Sequence, residues 1–311
     1  FLILNGDPKM KTGTIIAVLA SLALTAGPAF SEDQLFKPFV LASNNDTTLE
    51  ETTEMVIDAL TAAEFEVAGQ YSPVEGTQII VVTDDQLKTL AAASDRGAYA
   101  VGQRISVSTA GDGTEVGFVN PLYIQHAYRL EADMQPFYDR LTAALGHVEF
   151  CGGGDKKMTR KKLRKYHYMM TMPYFDDPSE LGEFDSYEAA LAAVENGLAK
   201  ENDGLSKVYR IDLPDQQQTV FGVGMKTTGE DDEDIDETAQ MNVVDFEGCK
   251  KRAYFPYEVL VTGNEVEALH MKFRMAVHFP NLPMTGKHGF TKLMPFPKAI
   301  EKQLEKMVQE D

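Results

Sequence analysis

Tryptophan is absent from these 311 residues and cysteine occurs only twice. Two cysteines exclude a small disulfide-stapled scaffold and a cysteine-rich zinc module, both of which need several at fixed spacing. Cys151 and Cys249 do not form a CxxC motif, which excludes a thioredoxin-type redox pair, and no CxxCH marks covalent haem. GxSxG and HExxH are missing. Gly152, Gly153 and Gly154 precede a lysine-rich run but lack the strand and spacing of a phosphate loop. Cations are in deficit, with 29 Lys and Arg against 48 Asp and Glu and a formal charge of −19. Such a surface, on average, repels nucleic acid and anionic membranes and favours solubility.

Long apolar runs are also scarce. The run 14–26 has 13 residues, a helix of about 20 Å against a hydrocarbon core of about 30 Å. It is too short for a transmembrane anchor and suits the h-region of a secretory signal peptide. Lys9 and Lys11 supply the positive n-region, Gly27 and Pro28 break the run, and Ala29 and Ser31 offer small residues before a cleavage at Glu32. No cysteine near that point signals a lipoprotein, and no Arg-Arg pair signals export of a folded, cofactor-loaded chain. The expectation is export to a bacterial periplasm, with no membrane span after leader removal. In an oxidising compartment Cys151 and Cys249, 98 residues apart, suggest a disulfide; two separate thiols are the alternative.

The remaining length and the 43% hydrophobic content suit two domains, and the same pattern runs through the chain twice. Thr47 to Glu50 reads as a capping box opening a helix. Strands at 65–71 and 77–83, a short helix after Asp84, a hairpin at 99–120 turning at Gly111 to Gly113, and a closing helix at 136–145 follow. From Asp185 or Ser186 the order repeats: a helix to residue 200, strands at 205–213 and 219–225, a helix near 238–246, a hairpin of strands 254–262 and 265–279, and a closing helix at 297–308. His126-Ala127-Tyr128 and His288-Gly289-Phe290 each precede a closing helix. The expected fold is α+β: a tandem duplication of a small helix and antiparallel-sheet module forming a pseudo-dimer. Its parts are the leader at 1–31, a first module at 32–147, a Gly/basic/Met-aromatic linker at 148–183, and a second module at 184–311.

Phe65-Glu66-Val67, the segment 79–87, Arg104 to Ser108, Asp112-Gly113 and Phe118-Val119-Asn120-Pro121 together resemble the small α+β domain named domain-of-unknown-function family 302, over about residues 46–128. The second module is a more divergent likeness. The resemblance implies the fold and a tendency of modules to pair, with no established activity. Some members carry cysteines in the segments matching 79–87 and the stretch just before the hairpin strand. This chain has none there, so thiol or metal chemistry is not carried over.

His126 and His288 recur in both halves and, with Tyr123, Tyr128 and Phe290, are the ligand-binding candidates at a cleft between modules. The plainer reading is that each histidine hydrogen-bonds its own connecting chain. His167, Met169, Met170 and Met172 are soft or borderline ligands that would suit copper. In the expected strand 265–279, Met271 and Met275 alternate with His270 and His278, so the methionines read as core. The acidic run 230–237 lacks the glycine and spaced carboxylates of a calcium loop and reads as solvated. Seven basic residues fall within 156–165. The sequence therefore favours non-enzymatic binding of a small ligand or partner protein, with no cofactor and no catalytic residue assigned. A copper- or haem-handling protein and an enzyme of unrecognised class stand as alternatives.

Overall fold

The computed structural model describes residues 34–200, 204–227, 234–246 and 248–309. The expected export leader lies outside the described residues, as does half of the acidic run, residues 230–233. The first half contributes β1 (Phe39–Asn45), α1 (Leu49–Ala62), β2 (Glu66–Tyr71), β3 (Thr77–Thr83), α2 (Asp85–Ala92), β4 (Gln103–Ala110), β5 (Gly113–Val119), α3 (Pro121–Ala127) and α4 (Gln135–Leu145). The segment expected as a linker carries β6 (Glu149–Cys151), α5 (Arg160–Arg164) and β7 (Ser179–Glu183). Next come α6 (Tyr187–Leu198), β8 (Leu205–Leu213), β9 (Gln218–Met225), α7 (Glu237–Val244), β10 (Tyr257–Thr262), β11 (Glu265–Ala268), α8 (Met271–His278) and α9 (Phe296–Gln309).

The class is α+β, with two antiparallel sheets. The first runs β2-β3-β4-β5-β1-β6 and the second β8-β9-β10-β11-β7. Strand for strand, the second sheet repeats the first five strands of the other. In both, the first strand of the half lies beside the last strand of the hairpin, β1 on β5 and β7 on β11. Helices α1 and α4 pack together in the first half, α6 and α9 in the second.

Local chemistry explains the element boundaries. Thr48, not Thr47, caps α1: its hydroxyl accepts the Glu51 N–H while the Glu51 carboxylate accepts the Thr48 N–H. The capping box thus forms one residue later than expected, because the Thr47 hydroxyl is bonded to Thr52, which in turn bonds Thr114 of β5. Asp84 caps α2 and Ser186 caps α6. The β4–β5 hairpin turns at Gly111 and Asp112, and the positive φ falls on Gly111, at +59°.

The strand expected at 265–279 is corrected. β11 ends at Ala268, and His270 starts α8, its Nδ1 accepting the Lys272 N–H at 3.1 Å. The alternation of Met271, Phe273, Met275 and Val277 misleads because Arg274, Ala276 and His278 between them are buried too. A helix enclosed on all sides has no polar face to reveal its period.

The halves meet reciprocally. β2 packs on β8, the strand that holds the same place in the other sheet. The 3-10 turn Gly97–Ala100 rests on β9 and β10, and the turn Arg252–Tyr254 rests on β3, β4 and β5. Gly69 allows the β2–β8 approach, since a Cβ there would collide with the Val208 carbonyl. A disulfide between Cys151 of β6 and Cys249, with Cα atoms 6.3 Å apart, ties the first sheet to the chain entering β10.

Candidate functional site

Tyr123, His126 and Tyr128 come from α3 and its C-terminal cap, and all three are buried. The Tyr123 hydroxyl donates to the Val277 carbonyl at 2.6 Å, a bond from one half to the other. Tyr128 stacks on Phe175 at 5.4 Å. The His126 ring meets Phe36 edge-on at 4.8 Å. Burial, then Arg160 and Arg164, push its pKa down to about 4, so the imidazole is neutral. His288 lies in the chain between α8 and α9. Its Nδ1–H donates to the Val243 carbonyl at 2.9 Å and its ring stacks on Phe246. Phe290 stacks on Tyr168.

The two His-small-aromatic motifs therefore do not occupy equivalent places. His126 is inside α3, whereas His288 lies in the chain beyond α8. The side chains of Asn120 and His270 each accept the N–H two residues on, at the starts of α3 and α8. Counted from those caps, His126 answers to Ala276 and Tyr128 to His278. His167 stacks on Tyr174 at 4.4 Å; Met169 and Met170 are exposed and Met172 is half-buried. Among the described residues no group of three or more His, Cys, Asp or Glu is placed to hold a metal ion.

Two adjoining cavities open beside Arg96. One, of about 430 Å³, is walled by Arg96 with Glu180, Glu183, Glu265 and Glu267. The other, of about 360 Å³, holds Arg96, Arg129 and Arg164 with Asp95, Glu131 and Asp176. Arg96 and Asp176 line both. The groove thus runs from a carboxylate-rich end to an end where three arginines each face a carboxylate, drawing residues from both halves. Arg96 Nε donates to both Glu267 oxygens, at 2.9 and 3.2 Å, and the Tyr99 hydroxyl donates to the same carboxylate. Arg129 and Asp176 make a two-pronged pair at 2.8 Å, which holds the Asp176 carboxyl below its ordinary range. Arg164 donates to Glu131 at 2.7 Å and to the Leu130 carbonyl at 2.8 Å. Arg96 and Arg129 hold φ of +52° and +55°, a conformation costly for a side-chain-bearing residue and concentrated at functional sites.

Behind this groove lies a second arginine assembly, fully buried. Glu258 of β10 accepts from Arg104 of β4 and, at 3.0 Å, from Arg274 Nε of α8. Arg274 also donates to the Tyr254 carbonyl at 2.6 Å, and its guanidinium sits 4.1 Å from the centre of the Tyr254 ring. His278 donates from Nδ1 to the Arg274 carbonyl at 2.8 Å. Burial and the two arginines keep that imidazole neutral, so its Nε2 is an acceptor. Burial and then Arg274 push the Arg104 pKa down. The Arg104 and Arg274 guanidinium groups lie against the Tyr128 and Tyr254 hydroxyls, and among the described residues His278 Nε2 has no hydrogen-bond partner. The stacked Tyr128–Phe175 pair separates the two assemblies, since Phe175 lines the groove and Tyr128 borders the arginines.

A further polar contact crosses the halves: the Tyr71 hydroxyl of β2 donates to Glu237 of α7 at 2.9 Å. Burial pushes the Glu237 pKa up to about 8.

Neither arginine set was assigned from the sequence. Glu258 carries one signal, a charged residue inside the otherwise apolar strand β10, whereas Arg104 stands among polar residues of β4. Arg96, Arg129 and Arg164 carried none, because only folding gathers them.

No family model and no curated protein matches the chain. Among solved structures, it is similar to an uncharacterized conserved protein of family DUF302 from Bacillus stearothermophilus, at 18% identity and a TM-score of 0.31 over 36% of this chain and 97% of that one. The chain resembles that family, the one indicated by the hairpin residues.

Proposed function

We propose that the protein is an exported, non-enzymatic binding protein of the periplasm. Its two modules descend from a tandem duplication and form a pseudo-dimer, and the groove beside Arg96 holds a small ligand with separated positive and negative charges. The observation that carries this reading is the pair of cavities sharing Arg96 and Asp176, one walled mainly by carboxylates and the other gathering three arginines, each facing one carboxylate. An anionic group would compete with Asp176 and Glu131 for arginine forks, while a cationic group would sit among Glu180, Glu265 and Glu267. Seams between modules are favoured places for such sites.

Titration calorimetry with 5-aminopentanoate, and with pentanoate and 1,5-diaminopentane as single-charge controls, tests the reading. The zwitterion is expected to bind at least tenfold tighter than either control and to lose that advantage in Arg129→Ala and Glu267→Gln. Equal affinities would refute the ligand class. Fractionation of expressing cells, with mass spectrometry of the N-terminus, tests export and cleavage before Glu32.

A further inference from the structure

The chain is strongly acidic overall, yet one face is the reverse. Of the seven basic residues in 156–165, only Arg164 turns inward, to Glu131. Lys156, Lys157, Arg160, Lys161, Lys162 and Lys165 are exposed, and among the described residues none has a carboxylate partner. The segment is not a loose tail. Thr159 caps α5, Met158 and Leu163 are buried beneath it, and the Phe36 N–H donates to the Met158 carbonyl at 2.9 Å. Exposed apolar side chains flank it. Leu35, 53% exposed, bridges to Thr159, and Met169 and Met170, the latter 92% exposed, follow the helix.

We infer that this face docks the protein onto an anionic lipid bilayer. Screening confines electrostatics to about 8 Å at physiological salt, so the local cations act on an apposed surface while the distant carboxylates do not. Basic side chains mixed with exposed apolar ones suit the headgroup boundary, where the cations meet lipid phosphate and the apolar groups enter the acyl edge. An acidic polypeptide would use the lysines but leave Leu35 and Met170 in water. The inference is independent of the groove.

Vesicle co-sedimentation tests it, using the chain from Glu32, which contains every described core residue. With equimolar phosphatidylglycerol and phosphatidylcholine at about 150 mM salt, partitioning is expected to exceed that onto pure phosphatidylcholine at least tenfold, and to collapse by about 500 mM salt. Lys161→Glu with Lys162→Glu should remove the preference. Met170→Asp should weaken it several-fold with the same salt slope. Both changes fall on exposed positions, so the melting temperature and the 5-aminopentanoate titration should be unchanged. Equal binding to both vesicle types, wild-type behaviour of the double variant, or capture of poly-glutamate without vesicle binding would each overturn the inference.

Discussion

Two sets of arginines face carboxylates where the halves meet, and they differ in one respect, access to water. Arg104, Glu258 and Arg274 are closed off from solvent, with two guanidinium groups to one carboxylate. Arg96, Arg129 and Arg164 use the same chemistry at the rim of two open cavities, with carboxylates in excess. A buried ion pair whose partner is removed leaves an uncompensated charge and costs about 3–5 kcal/mol, whereas an exposed pair contributes up to about 1 kcal/mol. The first set therefore holds the halves in register, and the second can exchange its carboxylates for a ligand at small cost.

The sharpest way to break this comparison is to delete one carboxylate from each set. Glu258→Ala strands two buried guanidinium groups and should cost about 3–5 kcal/mol in denaturant unfolding. Glu131→Ala should cost at most about 1 kcal/mol. Similar losses for the two variants would mean that burial does not separate the sets.

The disulfide sharpens the same point from the covalent side. It closes a loop of 98 residues between the halves, for which the chain-entropy model gives up to about 4.7 kcal/mol. Cys249→Ser should lower the unfolding free energy by about 2–5 kcal/mol, and reductant should lower the wild type equally. A variant as stable as the wild type would leave the register to the buried arginines alone.

How far these sets could be read in the sequence follows from how local their causes are. Helices α1 and α6 were legible because a hydroxyl cap and one apolar stripe lie within a few residues. The β4–β5 hairpin was legible from its glycine turn. β1 was missed because it lies between two strands and its first four residues are all buried, leaving no alternation until its end. The sequence of α8 reads as a strand for a related reason, since nearly all of its residues are buried. Pairing His126 with His288 matched letters rather than helix caps. Arg104 and Glu258 are 154 residues apart, and nothing local records that they meet.

Acid–base behaviour offers a finer test at the seam. Glu237 has its pKa raised from 4.5 to about 8. The folded state therefore keeps a proton that the unfolded chain loses between those values, and stability falls as pH rises through that window. Glu237→Gln should flatten this slope and raise the melting temperature at pH 8 relative to wild type. His126 acts in the opposite direction. Its pKa is lowered from 6.5 to about 4, so the unfolded chain takes up the proton first and stability falls as pH drops from 6.5 towards 4. His126→Gln should remove that acid-side slope only. Melting curves from pH 4 to 9 that keep both slopes in both variants would show that other groups set them.

The smallest stability change is expected at Arg96, where it is also the most telling. Arg96→Gly removes a side chain from a backbone at φ +52°, a conformation that glycine adopts freely. The same change deletes the pair with Glu267, whose carboxylate is buried but keeps the Tyr99 hydroxyl as a donor, so the loss is of order 1 kcal/mol. The two effects oppose each other, so the melting temperature should move little. Binding of 5-aminopentanoate should be lost, because Arg96 lines both cavities. Arg96→Ala separates the contributions: it also loses the pair but keeps the backbone cost, and should melt below the glycine variant by about 1 kcal/mol equivalent. If glycine and alanine melt alike, the left-handed backbone at Arg96 stores no strain. If both variants still bind, Arg96 belongs with the buried arginines as a structural residue, and the contrast between the two sets reduces to exposure alone.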